Sequence, residues 1–381
     1  MPMPGHPQFP QDPQLVYLNH AGIGPWPRRA TEAVQRLAAE CAHRGAADYP
    51  QWLEAETRLR QRLARLMGVP SPDDVALIPN TSAGLSLIAY GLDWQPGDEV
   101  VVNDQEFPSN RWVWESLAQR YGVRVRRVRL DDAAAATPED ALIAALGPRT
   151  RLLPVSSVQY GTGLRMDLER LASACRERGV LLCVDAIQSL GAVRLSVDAD
   201  FIVADGHKWM LGPEGLGALY VRPELRERLH LRQFGWHMVE HLGDFERGDW
   251  GPAASARRFE PGSPNLLGAH ALEASLAVLE EEGLEAVERG VLANARAVME
   301  GARRRGLEVV TPEAEGRHAG IVTFRIPGVP GERALAALRA ADVACAERCG
   351  GIRFSPHFYT SAEDLERAWE RLDAVAARLR G

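Results

Sequence analysis

From about residue 75 to residue 221, short apolar runs alternate with stretches whose apolar residues recur at helical spacing. The runs predict strands over Val75–Pro79, Glu99–Asn103, Val123–Leu130, Leu152–Val155, Val180–Asp185, Phe201–Ala204 and Ala218–Val221. Between them, Asn110–Tyr121 and Leu168–Arg178 read as amphipathic helices. Another helix start is marked by Thr137 as N-cap, Pro138 at the first helical position and Asp140 in the first turn. Strand–helix alternation of this kind implies a large, mostly parallel sheet covered on both faces, an α/β architecture.

The pattern changes after residue 228. Residues 229–262 lack periodicity and are rich in Gly, Trp and charge, which predicts a long functional loop. A helical stretch then runs from about Ala269 to Arg305, with breaks expected near Gly283 and Gly290. Strands over Ile321–Arg325 and Ile352–Ser355, with helices over Glu332–Ala341 and Ala362–Leu379, predict a small α+β domain. The expected division is residues 1–265 and 266–381.

Composition narrows the function classes. At 381 residues, 46% of them hydrophobic, the chain can bury a substantial core. A net charge of −7 and the lack of any basic run argue against a nucleic-acid surface. No apolar segment approaches the roughly 20 residues that span a bilayer, and Met1–Gln14 lacks the basic start and apolar run of a signal peptide. The five cysteines (Cys41, Cys175, Cys183, Cys345, Cys349) are scattered and odd in number, unlike a disulfide framework. These features predict a cytoplasmic enzyme with a small-molecule partner.

Candidate chemistry concentrates at predicted strand ends. Asp185 closes one strand, and Lys208 follows the next within Asp205-Gly206-His207-Lys208. In open α/β sheets the crevice outside the carboxyl ends of the strands binds ligands. A carboxylate and an amine presented there together match the needs of pyridoxal 5'-phosphate (PLP): the lysine forms the Schiff base, and the carboxylate keeps the pyridine nitrogen protonated. Asn80-Thr81-Ser82-Ala83-Gly84, between a strand and the apolar helix Leu85–Tyr90, offers hydroxyls and backbone N–H groups to a phosphate, although a plain N-cap has the same geometry. Phe107 could stack on the cofactor ring or sit in a core.

A rival reading comes from His237-Met238-Val239-Glu240-His241, which has the H-x-x-E-H spacing of inverted zinc peptidases. It requires both histidines on one helix face. Gly212-x-x-Gly215-x-Gly217 lies after the lysine turn and before a strand, the reverse of a dinucleotide loop, and reads as backbone geometry.

Taken in order, Thr81-Ser82, Glu106-Phe107-Pro108-Ser109, Asp185-x-x-Gln188, His207-Lys208, Phe259-Glu260-Pro261-Gly262-Ser263-Pro264-Asn265 and Arg353-Phe354-Ser355-Pro356-His357-Phe358-Tyr359 resemble the class V aminotransferase family. That family has the PLP-dependent transferase fold type I and includes cysteine desulfurases, isopenicillin N epimerases and kynureninases. The resemblance starts at Tyr17-Leu18-Asn19-His20-Ala21. It implies that Thr81, Ser82 and His207 hold the phosphate, Phe107 stacks on the ring and Gln188 bonds its phenolic oxygen. It further implies that Ser263 reaches the cofactor of a second subunit in a homodimer, and that Arg353 and His20 bind the substrate. Lys208 would take the Cα proton of a small amino acid. Transamination is the expected outcome; epimerisation and C–S lyase or desulfurase chemistry are the alternatives.

Three features depart from the desulfurase pattern. Asp205 replaces a phosphate-binding serine, and Ser157 replaces an active-site asparagine. Cys345 and Cys349, eight and four residues before Arg353, leave no room for the long cysteine-bearing loop and are expected to be small buried residues.

Overall fold

The structure, a computed structural model, describes residues 6–380. Residues 1–5, where the Pro- and Gln-rich stretch Met1–Gln14 begins, lie outside it. Seven of the apolar runs become one sheet: β1 (Val75–Ile78), β2 (Glu99–Asn103), β3 (Arg124–Val128), β4 (Thr150–Ser156), β5 (Leu181–Asp185), β6 (Phe201–Asp205) and β7 (Gly217–Val221). Their spatial order is β1-β7-β6-β5-β4-β2-β3. Strands β2 to β6 are mutually parallel, and β7 runs antiparallel to both β6 and β1. All five residues of β6 and of β7 are buried, as expected for strands covered on both faces. At the edge, β3 exposes Arg124, Arg126 and Arg127, charges that discourage further strand addition.

Local signals place the helices well. Thr137 Oγ1 accepts from Asp140 N–H at 3.1 Å and starts Pro138–Ala145. The long helical stretch breaks once, between Leu266–Glu282 and Leu284–Arg304, at Gly283 with φ +84°. The second break expected at Gly290 does not occur. Gly290 stays helical, and a Cβ there would lie 3.0 Å from Phe358 Cβ, so this glycine serves close packing. Residues 229–262 form a loop with two short 3₁₀ turns, Trp236–Met238 and Ala256–Phe259.

A second, antiparallel sheet has the order β10-β11-β9-β8, with β8 (Glu308–Val309), β9 (Val322–Arg325), β10 (Ala346–Arg348) and β11 (Gly351–Phe354). The N-terminal segment joins this part of the molecule. Val16–Tyr17 pairs in parallel with Val343–Ala344, and Val16 and Leu18 are buried in one cluster with Phe324, Phe354 and Trp369. The chain then crosses back: Gly24 N–H donates to the His207 carbonyl at 2.7 Å. A Cβ on Gly24 would fall 2.2 Å from the Lys208 carbonyl oxygen, so glycine lets this crossing lie against the lysine turn.

Candidate active site

The chain reverses its direction of sheet growth between β2 and β4, which pair only through Glu99 with Thr150 and Val100 with Leu152, and a crevice is expected outside their carboxyl ends at such a switch point. The ends of β5 and β6 border it, with Asp185 paired opposite Val203. Asp185 is buried and its carboxylate accepts from Ile187 N–H at 3.0 Å. Burial pushes its carboxyl up to about 7; the Ile187 N–H and Lys208 act against this shift, while Glu106 and Asp205 reinforce it. Burial lowers the Lys208 amine to about 8, against the attraction of Asp185. Asp185 and Lys208 therefore share one electrostatic environment.

Glu106, just beyond β2, is a buried carboxylate that accepts from the Asn110 side chain (2.9 Å), Ser156 N–H (2.7 Å) and Gln159 Nε2 (3.2 Å). It locks the β2 and β4 ends together. The neighbouring Phe107 ring is 40% exposed, lies 5.7 Å from Lys208 Nζ and packs edge-on against Tyr160 at 5.1 Å. Phe107 thus borders the crevice and is not a core residue.

The helix Thr81–Gly91 is capped by Asn80, whose Oδ1 accepts from Ala83 N–H at 2.9 Å. Because the cap falls on Asn80, the hydroxyls of Thr81 and Ser82 are free of that task. Ser82 Oγ donates to Ser109 Oγ at 2.9 Å, whereas Thr81 Oγ1 is buried without a partner. Asp205 Oδ1 lies 3.1 Å from His207 Nδ1, with neither aligned for a hydrogen bond. Asp205 therefore faces the histidine. An orphaned buried hydroxyl at a helix start, a lysine lowered to about 8 and a buried carboxylate are together a set that fits an anionic cofactor with a carbonyl and a basic ring nitrogen.

Gln188 is held at both ends of its amide: Nε2 donates to the Ala21 carbonyl at 3.1 Å, and Oε1 accepts from Trp209 Nε1 at 2.8 Å. Ser157 bonds the Asp185 carbonyl (3.1 Å) and Ser189 Oγ (2.8 Å), so it braces β4 against β5. Ser263 is exposed and lines an open cavity of about 810 Å³ with Pro79, Ala83, Ser86 and Phe259 of its own chain.

Arg353 is 1% exposed. It donates to the Tyr160 carbonyl at 2.8 Å and to Asn19 Oδ1 at 3.4 Å, while its Nε is buried without a partner. Burial, and then the nearby Arg348, lower this guanidinium to about 9. A buried cation with two neutral partners and a spare donor is suited to an incoming carboxylate.

Several expectations need correction. His20 does not have a ring nitrogen to offer a substrate: Nδ1 donates to the Ser355 carbonyl at 2.8 Å and Nε2 accepts from the Tyr359 hydroxyl at 2.7 Å, with the ring fully buried. Its pKa falls well below the usual value through burial. Cys345 is buried, its thiol pushed up to about 12, but Cys349 is exposed on a turn with φ +52°. His237 sits in a 3₁₀ turn and is buried near Glu260, Glu240 accepts from Ala254 N–H, and His241 is exposed in a loop. The helix face a zinc site would need is missing, and among the described residues no metal-ligating group forms. Tyr160, Arg348 and Trp209 escaped the sequence reading because nothing local marks them; their partners lie from about 20 to more than 190 residues away or across a hairpin.

Comparison with known proteins agrees with this geometry. The family model for aminotransferase class-V matches residues 16–368. A protein named isopenicillin N epimerase from Streptomyces clavuligerus is 32% identical, over 96% of this chain and 96% of that one. A probable cysteine desulfurase from Pyrococcus abyssi is 26% identical, over 98% and 97%. Among solved structures, a C-DES mutant with glycine covalently linked to its PLP cofactor superposes with a TM-score of 0.89 at 24% identity, covering 97% of this chain and 99% of that one. The chain belongs to the aminotransferase class-V family of PLP-dependent enzymes.

Proposed function

We propose that this chain transfers the amino group of a small α-amino acid, with Lys208 as the cofactor-bearing and proton-moving residue. The observation that carries the reading is the pairing of a lysine lowered to about 8 with a buried carboxylate at neighbouring strand ends. When bound, PLP supplies a carbonyl that condenses with amines and a ring that accepts electron density from Cα. Thr81, Ser82 and His207 hold its phosphate. Asp185 keeps a proton on the ring nitrogen. Gln188, oriented by Ala21 and Trp209, has one remaining N–H for the phenolic oxygen.

Arg353 fixes the substrate carboxylate, which aims the Cα–H bond at Lys208. With PLP in place, the Lys208 amine would be the group positioned to take that proton and give it back, and the position at which it gives it back would decide for transamination. Cys345 is buried and Cys349 has a raised thiol pKa, so neither favours attack by a thiolate on sulfur. A second reading, epimerisation at Cα, is supported by the 32% identity to the named epimerase. It requires proton return from the opposite face.

Pairing as a homodimer is part of the proposal. Phe234 packs edge-on to Trp250, and Trp236 lies 6.2 Å from Phe245, all four exposed in the loop 229–262. Such an aromatic surface marks an interface, and Ser263 borders it in sequence. Among the described residues no helix is long and apolar enough to cross a membrane. The cysteines Cys41, Cys175, Cys183, Cys345 and Cys349 are all unpaired, which supports a reducing, cytoplasmic setting.

The test is a panel of amino acids with the purified yellow protein in D₂O. Keto-acid release with loss of the aldehyde form of the cofactor is expected. Racemisation with deuterium at Cα and no keto acid would replace transamination by epimerisation. Absence of borohydride-reducible cofactor in the native protein, or its persistence in Lys208→Ala, would overturn the reading altogether.

A further inference from the structure

Arg348 ends β10, and Arg353 lies on β11. The two strands pair antiparallel, with Ala346 opposite Arg353 and Arg348 opposite Gly351. Opposed residues project from one face, as do residues two apart on a strand. Arg348 and Arg353 therefore share a face of the hairpin as diagonal neighbours, an arrangement that like charges disfavour.

Among the described residues neither guanidinium has a carboxylate partner: Arg348 donates to the Glu347 carbonyl, and Arg353 to the Tyr160 carbonyl and Asn19. Both Nε atoms are buried and unpartnered. Arg60 and Arg226, by contrast, are largely buried and paired with acids, Arg60 with Glu56 and Glu260 and Arg226 with Asp74. The two hairpin arginines lack such a partner at the crevice.

Tyr160 ties Arg348 to the reacting groups. The Arg348 Cζ lies 5.7 Å from the Tyr160 ring centroid, and that ring packs at 5.1 Å on Phe107, itself 5.7 Å from Lys208 Nζ. The Tyr160 carbonyl accepts from Arg353. Tyr160 thus contacts the aromatic wall beside Lys208 and both arginines. A single α-carboxylate needs one bidentate guanidinium. A second, placed beside it, calls for a second anion.

We propose that Arg348 is a specificity-determining residue that receives an anionic group on the substrate side chain. The substrate class is then α-amino acids with a second carboxylate, its α-carboxylate on Arg353 and its side-chain carboxylate on Arg348. This rests on the roles given above to Lys208 and Arg353.

Spectral titration of the holoenzyme tests it, using aspartate, glutamate and 2-aminoadipate against asparagine, glutamine and alanine. Wild type should bind at least one acidic amino acid roughly 10- to 100-fold more tightly than neutral ones. Arg348→Gln should remove that preference while the affinity for alanine changes less than about threefold, and Arg348→Lys should keep part of it. Equal binding of acidic and neutral amino acids by the wild type would overturn the proposal, and that arm needs no variant. So would an Arg348→Gln protein that weakens both classes alike, the result expected of a merely structural arginine. In either case a retained yellow cofactor, with amino acids still preferred over their decarboxylated amines, leaves the reading of Lys208 and Arg353 standing. Loss of cofactor absorbance in the wild type defeats both.

Discussion

Asp185 ends one strand, Lys208 lies in the turn that follows the neighbouring parallel strand, and the two shift in opposite senses, the carboxyl up to about 7 and the amine down to about 8. Burial is the largest cause for both, since a low-dielectric site disfavours either charge, and their mutual attraction only partly restores it. The Lys208 amine is thereby held near the pH at which it must lose and regain a proton.

Cofactor capture should follow the Lys208 amine. The neutral amine is the nucleophile, and its pKa lies below the ordinary 10.5, at about 8. The rate at which apoprotein takes up PLP should therefore rise with pH up to about 8 and then level off. A stopped-flow pH series measures this; a rate still climbing towards pH 10 would show an unperturbed lysine.

Asp185→Asn should retain cofactor but lose turnover, because an amide does not hold the ring-nitrogen proton. Steady-state rates at least a hundredfold below wild type are expected, on the order of 3 kcal/mol. Near-normal rates would transfer the role to another carboxylate, and Glu106 is the group to examine.

Arg353→Met should weaken amino-acid binding by about 2–4 kcal/mol, roughly 30- to 1,000-fold, with cofactor absorbance unchanged. Titration with an amino acid and its decarboxylated amine separates the carboxylate term. Equal loss for both ligands would mean that Arg353 only packs the crevice.

His20→Ala should act on stability. It leaves the Tyr359 hydroxyl without its 2.7 Å partner and opens space beside Trp209, at a cost of about 2–4 kcal/mol. Thermal unfolding should shift down while substrate affinity stays within about threefold of wild type. A large affinity loss in a stably folded variant would return His20 to the substrate site.

If the exposed aromatics pair two chains, Trp250→Glu together with Phe234→Glu should convert a dimer into a monomer by light scattering. Should Ser263 reach the partner's phosphate, Ser263→Ala should weaken PLP binding in the dimer by about 1–2 kcal/mol. A wild-type monomer that turns over would remove both inferences.

Much of the architecture was legible because its signals are local. Continuous apolar runs such as Phe201–Ala204 can satisfy themselves only between two covering layers, and Thr137-Pro138 starts a helix within one turn. Asp185 and Lys208 could be read together because both follow apolar runs and so fall at one sheet edge. Gly290 misled because local propensity counts it as a breaker, whereas close packing on Phe358 favours it.

The sequence by itself determined the seven strands of the large sheet, the sheet edge and the identity of the groups placed on it, since period, caps and strand ends are properties of short segments. Tertiary structure alone decided which of those groups stay free. His20 is consumed by Ser355 and Tyr359, and Gln188 is aimed by Ala21 and Trp209, through contacts that span from about 20 to more than 300 residues. Arg348 and Arg353 meet on one face because the hairpin register, turned at Gly350 with φ +73°, sets Arg348 opposite Gly351. A register shift of one residue would send one arginine to the other face, and nothing in the spacing of the two arginines alone determines it.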